Sequence, residues 1–155
     1  MRLRIIAVGS RMPGWVDAAV AEYSQRIRLP WRLEWIEIET GDRSSGGLAR
    51  AIEREGERVL AALKGAGKPV LLDERGREYT TREFAGWLER CGSESADLAL
   101  LLGGPDGHAP AVRARAVESL SLSRLTLPHA LARVVLAEQI YRAQSVLNKH
   151  PYHRD

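Results

Sequence analysis

The sequence predicts a single α/β domain over residues 1–155, built in three layers around a mostly parallel sheet. Short apolar runs typical of strands alternate five times with segments of helical periodicity, which is the pattern of a sheet covered by helices on both faces. No internal repeat and no linker rich in Gly, Pro or Ser divides the 155 residues. A hydrophobic content of 45% is ample for one core.

The first half of the chain contains two strand patterns, each followed by a helix pattern. Residues 3–8 are apolar and end at Gly9, so we expect a strand that leaves into a loop. A helical pattern follows and ends at Pro30. Residues 33–38 alternate apolar and acidic side chains, which predicts a strand with one exposed flank. Residues 48–63 then carry apolar positions at helical spacing.

The middle of the chain supplies a buried strand and a well-marked helix start. Residues 69–73 are a short apolar run that ends at an acid, between glycines at Gly67 and Gly76, so we expect a buried strand. Thr80 and Glu83 have the spacing of a capping box, in which the hydroxyl accepts from the third amide of the helix.

The last third completes the alternation. We expect strands over 98–102 and 120–123, a helix that begins near Pro110, and a long helix over 128–148. The apolar positions of the long helix cover more of its circumference than one sheet face requires. Two interpretations remain open: a central core helix, or a helix that packs both on its own sheet and on a second copy of the chain.

Three predicted strands end in loops suited to ligand binding, at Leu72-Asp73, at Gly103-Gly104 and at 123–128. In parallel sheets ligands bind beyond the carboxyl ends of the strands. The two glycines permit close approach of a ligand to the backbone and precede a helix whose first amides could face an anion, although such a pair is also typical of a simple tight turn. The third glycine of a dinucleotide fingerprint is absent, Pro105 removes an amide, and no P-loop motif occurs.

The charge distribution indicates an anionic partner. Residues 103–155 carry a net charge of +3 and all four histidines, whereas residues 1–102 are neutral overall. Nucleic acid is the first candidate partner. The single Cys91 excludes an intramolecular disulfide, no Cys/His spacing indicates a zinc site or other metal, and the apolar run at the N-terminus is too short for a signal peptide or a membrane span. We therefore expect a cytoplasmic protein without a membrane partner.

The ordered motifs of the chain resemble one known family, the RlmH family of SPOUT methyltransferases. The opening Gly9-Ser-Arg-Met-Pro13 matches that family, and the resemblance extends to the C-terminus. Its other motifs are Leu100-Leu-Leu-Gly-Gly-Pro-Asp-Gly107, Leu120-Ser-Leu-Ser-Arg-Leu-Thr-Leu-Pro-His129, Glu138-Gln-Ile-Tyr-Arg142 and His150-Pro-Tyr-His-Arg154.

The resemblance implies a fold, a cofactor and a substrate. Proteins of this family have a SPOUT-type fold with a C-terminal trefoil knot and work as homodimers. They use S-adenosylmethionine to methylate N3 of a pseudouridine in large-subunit (23S) ribosomal RNA, so the ribosome is the implied partner. Physical rules alone would have argued against a knot.

The resemblance also implies which residues form the site. It places the cofactor, largely through backbone groups, at Leu72, Gly103, Gly104, Ser123, Arg124, Leu125, Thr126, Leu127 and Pro128. The adenine would lie among the leucines, and glycine at position 104 would leave room for the rest of the cofactor. The implied catalytic residues are Tyr152, His153, Arg154, His129 and Arg142, with the tail reaching the pocket of the partner subunit.

Several alternatives stay open at the level of sequence. Without the resemblance, the tail would be interpreted as an ordinary frayed terminus. Glu138 and Arg142 form either a routine helical ion pair or a pair that orients the tail. We expect His108 and His150 to be exposed. His153 is the candidate general base, although it could instead bind phosphate or position the tail. Methylation of another RNA, such as transfer RNA, and a noncatalytic RNA- or ribosome-binding protein are the alternative functions.

Overall fold

The computed structural model describes residues 1–94 and 97–154 and has one parallel five-stranded sheet. The strands are β1 (Arg2–Val8), β2 (Arg32–Ile38), β3 (Lys68–Glu78), β4 (Leu98–Leu102) and β5 (Glu118–Ser121), and their order across the sheet is β2-β1-β4-β3-β5. The helices are α1 (Gly14–Ser24), α2 (Gly47–Ala62), α3 (Thr81–Ser93), α4 (Pro110–Arg115) and α5 (His129–Leu147), followed by a short 3₁₀ turn, Pro151–His153.

Helices cover both faces of the sheet and form two hydrophobic cores. Helices α3 and α5 pack on one face, where Leu88 and Ile140 belong to the same buried cluster as the sheet residue Leu100. Helices α2 and α4 cover the other face, where Val59 and Val112 share a second cluster with strand residues. The predicted three-layer arrangement with a parallel sheet is confirmed, and β2 is an edge strand with alternating exposure, as its sequence pattern predicts.

Helix α5 owes its two-sided apolar surface to neighbours within the same chain. It packs against α1 and α3 as well as over the sheet, and Leu136, Ala137 and Ala143 are fully buried. The structure thus supports the interpretation of α5 as a central core helix. The apolar pattern by itself is no longer an argument for a second copy of the chain.

Strand β3 continues well beyond the predicted end at residue 73. Its first part pairs with Glu118 to Leu120, and its second part, at Arg77 and Glu78, pairs with Leu120 and Ser121 after a register shift. Gly76 lies at this irregularity, where an added Cβ would come within 2.5 Å of the Leu120 backbone. The glycine therefore serves a close strand contact, and the prediction that it ends the strand was wrong.

His108 is buried, contrary to the prediction that it faces solvent, whereas His150 is exposed as expected. The Nε2 atom of His108 lies 3.1 Å from the carbonyl oxygen of Leu101, inside the turn that follows β4. Burial is the main cause that lowers the pKa of His108 to about 4, so the imidazole is neutral near pH 7. Its position marks it as a structural residue.

Candidate active site

One edge of the sheet holds a cleft of about 350 Å³, formed where β4 and β5 end and where the pairing of β3 becomes irregular after Leu72. Leu72 of β3 lies in register with Leu102 of β4 and with Leu120 of β5, so these three positions lie side by side. This is the place where parallel sheets bind ligands. The residues that line this cleft, named the cofactor cleft below, are Leu72–Glu74, Leu102–Pro105, 121–123, 125–129 and Ala132.

Eight of the nine residues predicted to bind the cofactor line this cleft. They are Leu72, Gly103, Gly104, Ser123, Leu125, Thr126, Leu127 and Pro128. Arg124 does not: its side chain is 86% exposed and pairs with Glu78 at 3.2 Å. The leucines give the cleft apolar walls, which suits the flat face of an aromatic ligand.

Short local hydrogen bonds fix the loops around the cleft. The amide of Gly107 donates to the carbonyl oxygen of Gly104 at 3.0 Å and closes a tight turn. On the opposite wall the amide of Leu125 donates to the Ser123 hydroxyl at 2.9 Å, and the Ser121 hydroxyl donates to the Ser123 carbonyl at 2.9 Å. Since these bonds are local, they hold the loop backbone in one shape before any ligand binds.

The two glycines of the cleft are required for packing, and this corrects the idea that Gly104 makes room for the ligand. An added Cβ at Gly104 would lie 3.0 Å from Val8 Cγ1 and 3.4 Å from Glu55 Oε2, on the side of the core. An added Cβ at Gly103 would come within 2.9 Å of the Gly107 carbonyl carbon. The predicted helix start near Pro110 is confirmed, because α4 begins at Pro110, several residues after the glycines.

Asp73 places a fixed negative charge in the cleft. The predicted ligand-binding strand end included Asp73, but its carboxylate was given no role. Its carboxylate accepts from the Arg75 amide at 3.0 Å and from the Arg113 guanidinium at 2.6 Å. The Arg75 backbone bond, with a further contribution from Arg113, lowers the pKa of Asp73 to about 2. The position of an acid at the end of a buried apolar run was the available signal.

His129 lies in the cofactor cleft at the start of α5, with its ring nitrogens engaged by the protein. Its Nε2 atom accepts a hydrogen bond from Arg133 Nε at 3.0 Å, and the ring also hydrogen-bonds the Gly103 backbone. Burial first, and then the positive charge of Arg133, lower the pKa of His129. A neutral imidazole held in this way is suited to fix the Gly103 loop and α5 relative to each other, and badly suited to take a proton from a substrate.

Arg133 connects three elements beneath the cleft, although it is only 2% exposed. Its guanidinium donates to Glu37 at 2.6 Å, to His129 at 3.0 Å and to the carbonyl oxygen of Gly9. Strands β1 and β2 and the start of α5 are thereby joined through one side chain. A charged residue on the buried side of an apolar helix was the sequence signal for this role.

The C-terminal tail packs along α5 and does not line the cofactor cleft of its own chain. The Tyr152 hydroxyl donates to Glu138 at 3.0 Å, and its ring centroid lies 4.6 Å from that of Tyr141 and 4.8 Å from the Arg142 guanidinium. The Arg142 guanidinium also forms an ion pair with the Glu138 carboxylate, at 2.6 Å. This geometry favours the interpretation of Glu138 and Arg142 as residues that orient the tail.

The surroundings of the tail residues differ, and those of Tyr152 fix its protonation state. Burial, with hydrogen bonds to Tyr23 and Glu138, raises the pKa of Tyr152 well above its usual value, so its hydroxyl remains a donor near pH 7. His153 is half-buried, and its Nδ1 atom is buried without a partner among residues 1–94 and 97–154. Arg154 is exposed. His153 and Arg154, two of the residues predicted to be catalytic, thus have groups that the described part of the chain leaves unpaired.

The described residues contain neither a metal site nor a membrane-spanning helix. No group of three or more His, Cys, Asp or Glu side chains within 1–94 and 97–154 is placed to hold a metal ion. In the same residues no helix is long and apolar enough to cross a membrane.

Comparison with a solved structure supports the fold. A probable methylase family protein from Haemophilus influenzae Rd KW20 superposes with a TM-score of 0.56, at 12% identity, over 99% of this chain and 70% of that chain. At this identity the likeness concerns the fold alone.

Comparison with known sequences identifies the family. The chain is 49% identical over 156 residues to a ribosomal RNA large subunit methyltransferase H of Thiobacillus denitrificans, with 100% of both chains covered. It is 48% identical to the protein of the same name from Methylococcus capsulatus, which covers 99% of this chain and 100% of the relative. A family model described as predicted SPOUT methyltransferase matches residues 1–153, and the chain therefore belongs to the SPOUT methyltransferase family.

Proposed function

We propose that this protein uses S-adenosylmethionine to methylate N3 of a pseudouridine in 23S ribosomal RNA, as a single domain over residues 1–155. The observation that carries the proposal is the cofactor cleft, which lies where β4 and β5 end beside Leu72 of β3, in a chain of the SPOUT methyltransferase family. The names of the relatives, which are about half identical over their whole length, support ribosomal RNA as the substrate. Ribosomal RNA as a substrate agrees with the expected cytoplasmic location.

The chemistry of the cleft suits this cofactor. A volume of about 350 Å³ is within the range of small-molecule sites. Leu72, Leu125 and Leu127 would hold the adenine, and the carboxylate of Asp73, charged near pH 7, is complementary to the positive charges of the cofactor. When bound, S-adenosylmethionine supplies an electrophilic methyl group.

The protein must supply alignment and a route for the N3 proton. That proton belongs to an imide between two carbonyl groups, and negative charge develops on the carbonyl oxygens as it leaves. The cation of Arg154 and the neutral Tyr152 hydroxyl are suited to stabilise this charge. His153 remains our candidate for the base, because its Nδ1 atom has no partner in the described chain. His129 has the role of a positioning residue in this scheme.

The position of the tail supports a homodimer in which each cleft receives the tail of the partner. Tyr152 packs against Glu138, which lies nine residues along α5 from His129 and so about 14 Å away along the helix axis. The cofactor cleft itself is lined by no Tyr, Lys or Arg side chain of the described residues. A second copy of the chain would supply the groups that the chemistry requires.

Incubation with labelled S-adenosylmethionine tests the function. Assembled ribosomes, free ribosomal RNA and transfer RNA are offered separately, and we expect label in the large-subunit ribosomal RNA. Thr126→Trp should fill the cleft and abolish labelling, whereas Arg124→Trp, two residues away but outside the lining, should retain it. Label in transfer RNA alone would overturn the substrate. Binding of cofactor and ribosome without transfer would favour the noncatalytic alternative.

A further inference from the structure

A second cleft of about 550 Å³ adjoins the cofactor cleft and shares two residues with it, Pro105 and His129. It lies between the loop after β1, the loop after β2 and the start of α5. Its remaining lining residues are Val8–Pro13, Glu39, Thr40 and Ala130. Because the two clefts have a common wall, a ligand in the second cleft would lie next to one in the first.

The second cleft has polar side chains that the protein leaves unused. Ser10, Arg11, Glu39 and Thr40 are exposed, and none of their side chains forms a hydrogen bond or an ion pair with any residue of 1–94 or 97–154. Surface polar groups without partners are common, but here four of them face one concave site beside a cofactor cleft. They supply two hydroxyls, a carboxylate and a guanidinium.

Hydrogen bonds to β2 and α5 fix the loop after β1, which carries Ser10 and Arg11. The Gly9 amide donates to the Ile38 carbonyl at 2.7 Å, and the buried Arg133 guanidinium donates to the Gly9 carbonyl. Gly9 has φ of 120°, a backbone conformation that other residues rarely adopt. The loop is therefore held in a definite shape between β2 and α5, as a binding site for a specific ligand requires.

We propose that this second cleft binds the target nucleotide of the RNA substrate, flipped out of its stack. The inference rests on the proposed function, because a methyltransferase that acts on a base must bring that base beside its cofactor. A cleft of 550 Å³ is large enough for one nucleotide. Met12, Pro13 and Pro105 offer apolar contact to the faces of the base.

The polar groups match the rest of a nucleotide. The carbonyl oxygens of a pyrimidine accept hydrogen bonds and its ring N–H groups donate, so the hydroxyls of Ser10 and Thr40 and the carboxylate of Glu39 complement its edge. Arg11 is suited to the adjoining phosphate, since guanidinium groups bind phosphate oxygens through charge-assisted hydrogen bonds. The cleft thus combines a base site with a phosphate contact.

Two variants test the assignment with a matched control. Ala130→Phe places a large side chain in the second cleft, and Arg11→Ala removes the cation. Arg54→Ala removes an equally exposed cation from α2, outside both clefts. Single-turnover methyl transfer is measured at saturating cofactor over a range of RNA concentrations, and cofactor affinity is measured separately by calorimetry.

We expect Ala130→Phe to lower methyl transfer by more than about tenfold and Arg11→Ala to raise the half-saturating RNA concentration by about tenfold. Arg11→Ala should also reduce the slope of RNA affinity against salt by about one. Cofactor affinity should stay at the parent value in both, and Arg54→Ala should behave as the parent. If both variants bind cofactor and methylate RNA as the parent does, the second cleft is not the nucleotide site. A parent protein that methylates no RNA would instead refute the proposed function itself.

Discussion

Replacement of Arg133 by methionine tests the network that joins the two clefts. Methionine keeps much of the length of the side chain but removes all three hydrogen bonds of the guanidinium, to Glu37, Gly9 and His129. The Glu37 carboxylate is 41% exposed, so water can replace the guanidinium as its partner. Loss of this ion pair therefore lowers the free energy of unfolding by about 0–1 kcal/mol. The other two bonds are charge-assisted; the one to Gly9 is buried and the one to His129 is partly buried, and each contributes about 1.5–3 kcal/mol when taken singly.

Because neighbouring bonds are not additive, we expect a total loss of about 2–4 kcal/mol in the free energy of unfolding. For a chain of this size that corresponds to a fall in Tm of roughly 5–15 °C. Thermal unfolding is followed by circular dichroism at one fixed protein concentration, because the Tm of an oligomer depends on concentration. Arg124→Met serves as the control, since it removes an exposed ion pair with Glu78 and should leave Tm at the parent value.

A second readout separates the network from general destabilisation. The charge of Arg133 contributes to the lowered pKa of His129, so the pKa of His129 should rise in Arg133→Met, as followed by the NMR titration of its ring protons. Single-turnover methyl transfer should also fall, because the Gly9 and Gly103 loops lose their common support. A variant with the Tm of the parent and an unchanged His129 titration would refute this account of Arg133.

Three further predictions concern pH, packing and assembly. His108 has a folded-state pKa of about 4 against 6.5 when unfolded, so its contribution to the free energy of unfolding is complete above pH 6.5 and is lost towards pH 4, by up to about 3 kcal/mol. The urea midpoint of His108→Gln should therefore fall less steeply with acid than that of the parent, and an equal dependence of the two midpoints on pH would exclude this role. Gly104→Val should lower the free energy of unfolding by about 1–3 kcal/mol, because its side chain meets Val8, and an unchanged urea midpoint would contradict the packing. Mixed dimers of Thr126→Trp and Tyr152→Ala chains should recover part of the activity that each homodimer lacks, whereas no recovery in demonstrated heterodimers would place cleft and tail in one chain.

Local sequence signals were sufficient for most elements of the fold. The capping box of α3 is formed as its spacing predicts, with the Glu83 amide donating to the Thr80 hydroxyl at 3.2 Å and the Thr80 amide donating to the Glu83 carboxylate at 2.7 Å. The edge position of β2 followed from its alternation of apolar and acidic residues. Both signals depend on residues close together in the chain, which is why pattern alone could predict them.

Features that depend on distant residues were not predictable in this way. Strand β3 continues past Gly76 because β5, some 40 residues later, approaches its backbone there. His108 is buried because the turn after β4 folds it back onto Leu101. The role of Arg133 requires Gly9, which is 124 residues away in the chain. None of these contacts leaves a periodic trace in the sequence.

The residues of the candidate site also fall into those that a physical rule predicted and those that only the family resemblance supplied. The rule that ligands bind at strand ends led to Leu72, Gly103 and Gly104, and the structure places all three in the cofactor cleft. The loop at 123–128 entered through both strand position and family resemblance, and Arg124 alone of that loop lies outside the lining. The catalytic tail came from the resemblance, as did the trefoil knot, and both stay predictions.

The identity of the methylated nucleoside tests the central claim most directly. Ribosomes that lack the modification are incubated with the protein and S-adenosylmethionine carrying a deuterated methyl group, and the 23S RNA is digested to nucleosides for mass spectrometry. We predict that the deuterated methyl group appears in one nucleoside, which elutes with authentic 3-methylpseudouridine, and that Thr126→Trp yields none. Label on a ribose, on a uridine or on another base would contradict the proposed reaction.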